Sequence, residues 1–177
     1  MRRTAADELH VTELILQALE TERGGIKVYT AAIGAACKDD LRRQWTGCLE
    51  ETRRHEGILS RVCRRLDLDP EMQSPGREIV SGHSKWLVEM IESAVATGDS
   101  GAAQLIAAEC VMVSETKDLL NWALIGQVSK RGKKGLADIL STAYNEARDD
   151  GTHRPPPAGG RRGQHWNDAF AFRRAAA

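Results

Sequence analysis

Apolar positions along much of the chain step by three and four, the spacing of one helix face. In the first long periodic segment this seam runs Leu19, Glu22, Ile26, Tyr29 and Ile33. In the second it runs Leu41, Trp45, Cys48, Thr52, His55, Leu59, Val62 and Leu66. Two polar side chains, Glu22 and His55, thus stand where the pattern calls for hydrocarbon. A carboxylate and an imidazole facing a core are costly unless they are paired or bind a metal. The misfit points to a metal site inside a helical bundle.

Five helices are predicted. The first spans about 5 to 36, with Thr4 and Asp7 at capping-box spacing. The second spans about 40 to 67, started by Asp39 or Asp40 and stopped before Asp69-Pro70. Ser74 and Pro75 suit the cap and first position of a third helix, about 76 to 96, which ends at Thr97-Gly98-Asp99. A fourth spans about 101 to 129, broken by the basic, glycine-rich stretch Lys130–Gly135, and a fifth spans about 136 to 149. Short links make the first pair and the last pair antiparallel hairpins. The third helix then serves as a long crossover between them, the connectivity of a ferritin-like four-helix bundle.

The organisation expected is therefore all-α: a bundle over 1–150 and a basic tail over 151–177. The tail, with Pro155, Pro156 and Pro157 and five arginines against Asp168, reads as disordered or loosely docked, or as a binding arm. Aromatics are only 5% of the 177 residues, which favours helices over sheets. Lys plus Arg and Asp plus Glu both number 25, so charge gives no reason to expect nucleic acid or an anionic membrane as partner. No apolar run approaches the roughly 18–20 residues of a membrane span. Cys37, Cys48, Cys63 and Cys110 lack CxxC spacing, and the N-terminus turns acidic where a secretory signal needs an apolar stretch. A reducing cytoplasmic location is the expectation. A monomer or a homodimer through the first or fourth helix suits this size.

A di-metal carboxylate centre needs oxygen ligands and a few imidazoles from all four core helices at one level, usually as two Glu and two Glu-x-x-His motifs. Glu22 is the seam acid of the first helix, followed by Gly24 and Gly25, which would let a neighbouring helix approach closely. The second helix offers His55 with Glu51 one turn before it. Thr52 occupies the place where the usual motif has its Glu. On the fourth helix, Leu105, Ala108, Met112 and Leu119 mark an apolar stripe, with Glu109 inside it and Glu115 at its shoulder. Glu146, Asp150 and His153 share a face at the end of the fifth helix, and Glu146 is the best ligand there because Gly151 and Pro155 interrupt the helix near His153. His83, on a stripe with Val80, Leu87 and Met90, reads as a packed histidine or one supporting the site. Trp45, Trp86 and Trp122 read as core anchors, and Tyr29 as a core tyrosine within reach of the site.

Three blocks carry a family resemblance: Glu22-Arg23-Gly24-Gly25 with Tyr29; Leu49 to His55 followed by Leu66-Asp67-Leu68-Asp69-Pro70; and Ala107 to Val111 through Glu115 to Trp122. On these the chain resembles the ferritin-like superfamily, and more narrowly its YciF-like, stress-associated branch and related uncharacterised bacterial proteins. The resemblance implies a helical bundle with a di-iron or di-manganese centre and no settled activity. The chain departs from it at Thr52, and again at the end of the fifth helix, where Gly-Thr-His-Arg-Pro-Pro-Pro replaces acids and histidines. Two functions compete. One is a di-iron protein handling iron, oxygen or peroxide, with Glu22, Glu51, His55, Glu109, Glu115 and Glu146 as metal ligands. The other is a non-catalytic stress or interaction protein whose Glu22 and His55 form a buried pair without metal. Storage inside a cage is the weaker third idea.

Overall fold

The computed structural model describes residues 5–149. Five helices make up the fold: α1 (Ala5–Ala35), α2 (Asp39–Arg65), α3 (Pro75–Ala96), α4 (Ser100–Arg131) and α5 (Lys134–Asp149). No strand occurs among the described residues. The expected cap at Thr4, the ligand candidate His153 and the segment 151–177 lie outside them.

Local chemistry sets most of the helix ends. The Ser74 hydroxyl accepts from the Arg77 N–H and Pro75 takes the first helical position, which starts α3 as its sequence predicts. Asp99 caps α4 by accepting from the Ala102 N–H. The end of α2 is a Schellman motif: Leu68 N–H reaches Cys63 O at 2.9 Å while Asp67, at φ 53°, takes the left-handed position usually given to glycine. The start of α2 differs from expectation. Lys38, not Asp39 or Asp40, is its N-cap and makes no side-chain cap. The Gln104 side chain of α4 instead holds the turn that leads into α2, its Oε1 accepting from the N–H groups of Cys37 and Lys38.

Helix α1 is the hub, packing against α2, α3 and α4, while α5 closes against α4 and α2. Residue pairs fix the directions. Cys37 meets Gln104, Tyr29 meets Glu115 and Glu22 meets Trp122, so α4 runs antiparallel to α1. Arg77 meets Glu20 and Ser84 meets Gly24, so α3 runs parallel to α1. The Arg77 guanidinium is buried and also donates to Pro70 O and Met72 O, which pins the α2–α3 connection onto α1. Glu22 lies by His55 and Gly25 by Thr52, so α2 runs antiparallel to α1, and α3, between α2 and α4 in the chain, packs on both α1 and α4.

The core divides into two apolar clusters. One joins Ile15 and Leu19 of α1 with Leu59 and Val62 of α2, Trp122 and Ile125 of α4, and Leu140 and Ala143 of α5. The other joins Val28 and Ala32 of α1 with Trp45 and Leu49 of α2, Leu87 and Ile91 of α3, and Ala107 and Val111 of α4. Between them lies a buried polar layer, drawn from Thr21 and Glu22, Thr52 and His55, and Ser114, Asp118 and Asn121. The glycines of α1 let neighbours into this layer. A Cβ on Gly25 would meet Thr52 Cγ2 at 3.2 Å, and one on Gly24 would overlap Ser84.

Three expectations change. Trp86 is 54% exposed and stacks on His83, itself exposed, so neither anchors the core nor supports the polar layer. The buried face of α4 runs through Ala107, Val111, Ser114, Asp118, Trp122 and Ile125, rotated from the stripe of Leu105, Met112 and Leu119, which are only partly buried. On α5 the inward residues are Leu140, Ala143 and Ala147, while Glu146 faces out and pairs with Arg61.

Candidate metal centre

Three helices each bring one ligand-type side chain to the polar layer: Glu22 from α1, His55 from α2 and Asp118 from α4. One donor atom of each lies within 4.8 Å of the others, and all three residues are buried. It is the one such group of three among the described residues. His55 Nδ1 stands 3.7 Å from Glu22 Oε1. The Trp122 indole N–H donates to that same oxygen at 2.8 Å, and the indole meets the His55 ring edge-on at a centroid distance of 5.5 Å.

Burial drives the electrostatics. The Glu22 carboxyl is pushed well above the ordinary carboxylate range, first by its removal from water, then by the charge of Asp118 and the hydrogen bond between the two carboxyls. The Trp122 hydrogen bond opposes this shift, and the charge of Glu115 adds to it. Two carboxyls this close share a proton or a cation. Next to them the Tyr29 hydroxyl donates to Glu115 Oε1 at 2.8 Å, and burial followed by the Glu115 charge holds that phenol well above its usual range. On the other flank Asn121 Nδ2 donates to Thr21 Oγ1 at 2.8 Å and Lys117 Nζ donates to Asn121 Oδ1.

The six ligand candidates separate. Glu22 and His55 meet in the cluster. Glu115 is half-buried and acts on Glu22 through its charge while holding Tyr29. Glu51 and Glu109 are half-buried and stand outside the group of three. Glu146 is 51% exposed on its side chain and bound to Arg61, because Ala143 and Ala147 take the inward positions of α5. Asp118 is the member of this group that the sequence candidates did not include. Its signal lies in the three-four series Val111, Ser114, Asp118, Trp122, Ile125. That series carries two polar members, while Val113, Leu120 and Leu124 sit exposed on the opposite face. The stripe of Leu105, Ala108, Met112 and Leu119 is the more apolar series, so hydropathy alone does not find the inward face of α4.

No known protein family, curated protein or solved structure matches the chain.

Proposed function

We propose that this chain is a metal-binding helical bundle whose Glu22, His55 and Asp118 hold one divalent transition ion, with Fe(II) or Mn(II) the best match. The carrying observation is the convergence of two carboxyl groups and one imidazole from three helices in a buried layer between two apolar clusters. Carboxylate and imidazole donors suit Fe(II) and Mn(II). A dication would also replace the proton between Glu22 and Asp118, relieving the cost of two adjacent buried carboxyls. The reading keeps a ferritin-like relationship as its family expectation, supported by the two hairpins and the connecting α3. It favours one metal over two, because among the described residues α5 turns Leu140, Ala143 and Ala147 inward and contributes nothing to the group of three.

When bound, such an ion would supply redox chemistry toward dioxygen or peroxide at positions left open by three protein ligands. The chain's own residues do the rest. Trp122 orients Glu22 through its N–H, and the Trp122 ring confines His55. The apolar clusters on both sides keep bulk water from the layer.

A second reading is a metal-free polar layer that fixes helix register. The Trp122 hydrogen bond favours it, because that bond and the shared proton satisfy Glu22 without an ion. Metal content separates the two. Protein from iron-supplemented cells is expected to carry near-stoichiometric iron, lost in Glu22→Ala, His55→Ala and Asp118→Asn. Background iron in the unmutated protein, with no uptake of Fe(II) or Mn(II) on titration, would leave only the register role.

A further inference from the structure

At the α1–α2 turn, one amide side chain accepts from more donors than it has lone pairs, and its own N–H groups meet no acceptor among the described residues. Gln104 Oε1 accepts from Cys37 N–H at 3.0 Å, from Lys38 N–H at 3.1 Å and from the Cys37 thiol at 3.2 Å. A carbonyl oxygen has two lone pairs, so the thiol, the weakest of the three donors, is the supernumerary one. Gln104 itself is 1% exposed, yet its Nε2 has no partner among the described residues. Turning the amide over does not help, because Nε2 would then face two backbone N–H donors. A buried donor left unmade is costly, so an acceptor arriving within reach of this one would be held.

Cys37 is the exposed cysteine of the four. We propose that Cys37 is a peroxide-oxidisable site whose sulfenic acid is held by the waiting Nε2–H of Gln104. In the reaction the Cys37 sulfur attacks one peroxide oxygen and forms an S–O bond. The O–O bond breaks, and the departing hydroxide takes up a proton to leave as water. The sulfur is oxidised and the peroxide reduced, so thiol plus hydrogen peroxide gives sulfenic acid plus water. The new oxygen is the acceptor Nε2 lacks, and the overloaded Oε1 is relieved of its third donor. The other thiols are poorer targets. Burial pushes the thiols of Cys63 and Cys110 upward and hides them, and Cys48 is half-buried beside Tyr29.

The full chain, with a chelator present so that the outcome is independent of the metal reading, is treated with hydrogen peroxide, trapped with dimedone and mapped by peptide mass spectrometry. The adduct is expected mainly on Cys37 and is absent in Cys37→Ser. Gln104→Glu keeps the acceptor for the two backbone N–H groups and removes only the donor. Its ratio of sulfenic to sulfinic acid at Cys37 is expected to fall about fivefold, the worth of one hydrogen bond. The ratio is the readout because a carboxylate also alters how fast peroxide reacts. Gln104→Met, neutral and without donors, replaces it if circular dichroism shows the carboxylate variant unfolded. An adduct spread evenly over the cysteines, one centred on Cys48, or an unchanged ratio in the Gln104 variant overturns the proposal.

Discussion

The indole of Trp122 donates to Glu22 Oε1 at 2.8 Å, and neither residue is more than 2% exposed. This bond joins α1 to α4 inside the polar layer and opposes the upward pull of burial on the carboxyl. Trp122→Phe keeps an aromatic ring and removes the donor. It is expected to destabilise the fold by about 2–4 kcal/mol, the unmade bond adding to the space left by the smaller ring. Urea unfolding measures this, and a variant as stable as the parent would deny the bond any structural role.

The raised Glu22 carboxyl makes stability depend on pH with a definite sign. Near and below the ordinary carboxylate value, folded and unfolded chains both hold the proton and Glu22 contributes no slope. Above it the unfolded chain releases the proton while the folded chain keeps it. The unfolded state then binds fewer protons, and stability falls by about 1.4 kcal/mol per pH unit until the folded group titrates. Glu22→Gln is expected to lack this descending limb and to gain on the parent as pH rises. Unfolding free energies of the two proteins across pH 4 to 9 supply the difference curve, about flat if Glu22 titrates normally. Saturating Fe(II) or Mn(II) should flatten the parent's own curve, since a bound dication takes the proton's place.

The helix faces of α1 and α2 were legible because their polar members are few. Glu22, Thr52 and His55 are the polar members of otherwise apolar seams, and the structure buries all three. The number and order of the helices were legible as well, because cap, proline and glycine signals bound most of them. Helix α4 resisted the same approach. Gln104, Ser114, Asp118 and Asn121 lie on its buried face while Val113, Leu120 and Leu124 look outward. Which side of such a helix turns inward depends on partners from other helices, here Thr21, Glu22 and the Cys37–Lys38 turn. A single helix's periodicity does not contain them. Glu146 is hard to place for a related reason: on sequence alone a terminal acid on a short helix looks alike whether it faces the core or an arginine of a neighbouring helix.

Glu146 therefore predicts a contrast. Its ion pair with Arg61 is half exposed on both sides, and such pairs contribute about 0.2–1 kcal/mol. Glu146→Gln is expected to cost no more than that and to leave metal content untouched, whereas Asp118→Asn, with its carboxyl in the buried layer, should abolish metal retention. Equal metal loss in both variants would place Glu146 in the site after all.

Gly24 tests how closely α3 must approach α1. A Cβ there would fall 2.0 Å from Ser84 Oγ and 2.6 Å from Ser84 Cβ. Alanine is otherwise the better helix former by about 1 kcal/mol, so propensity alone would favour Gly24→Ala. The overlap reverses the sign, because α3 is also held by the buried Arg77–Glu20 pair and cannot slide away freely. A loss of about 1–3 kcal/mol is expected, typical of overpacking. Ser84→Ala should relieve little of it, since the Cβ contact persists, while Ser84→Gly in the Gly24→Ala background should restore most. Thermal melts of these variants discriminate, and equal rescue by Ala and Gly at position 84 would mean that the hydroxyl alone sets the approach.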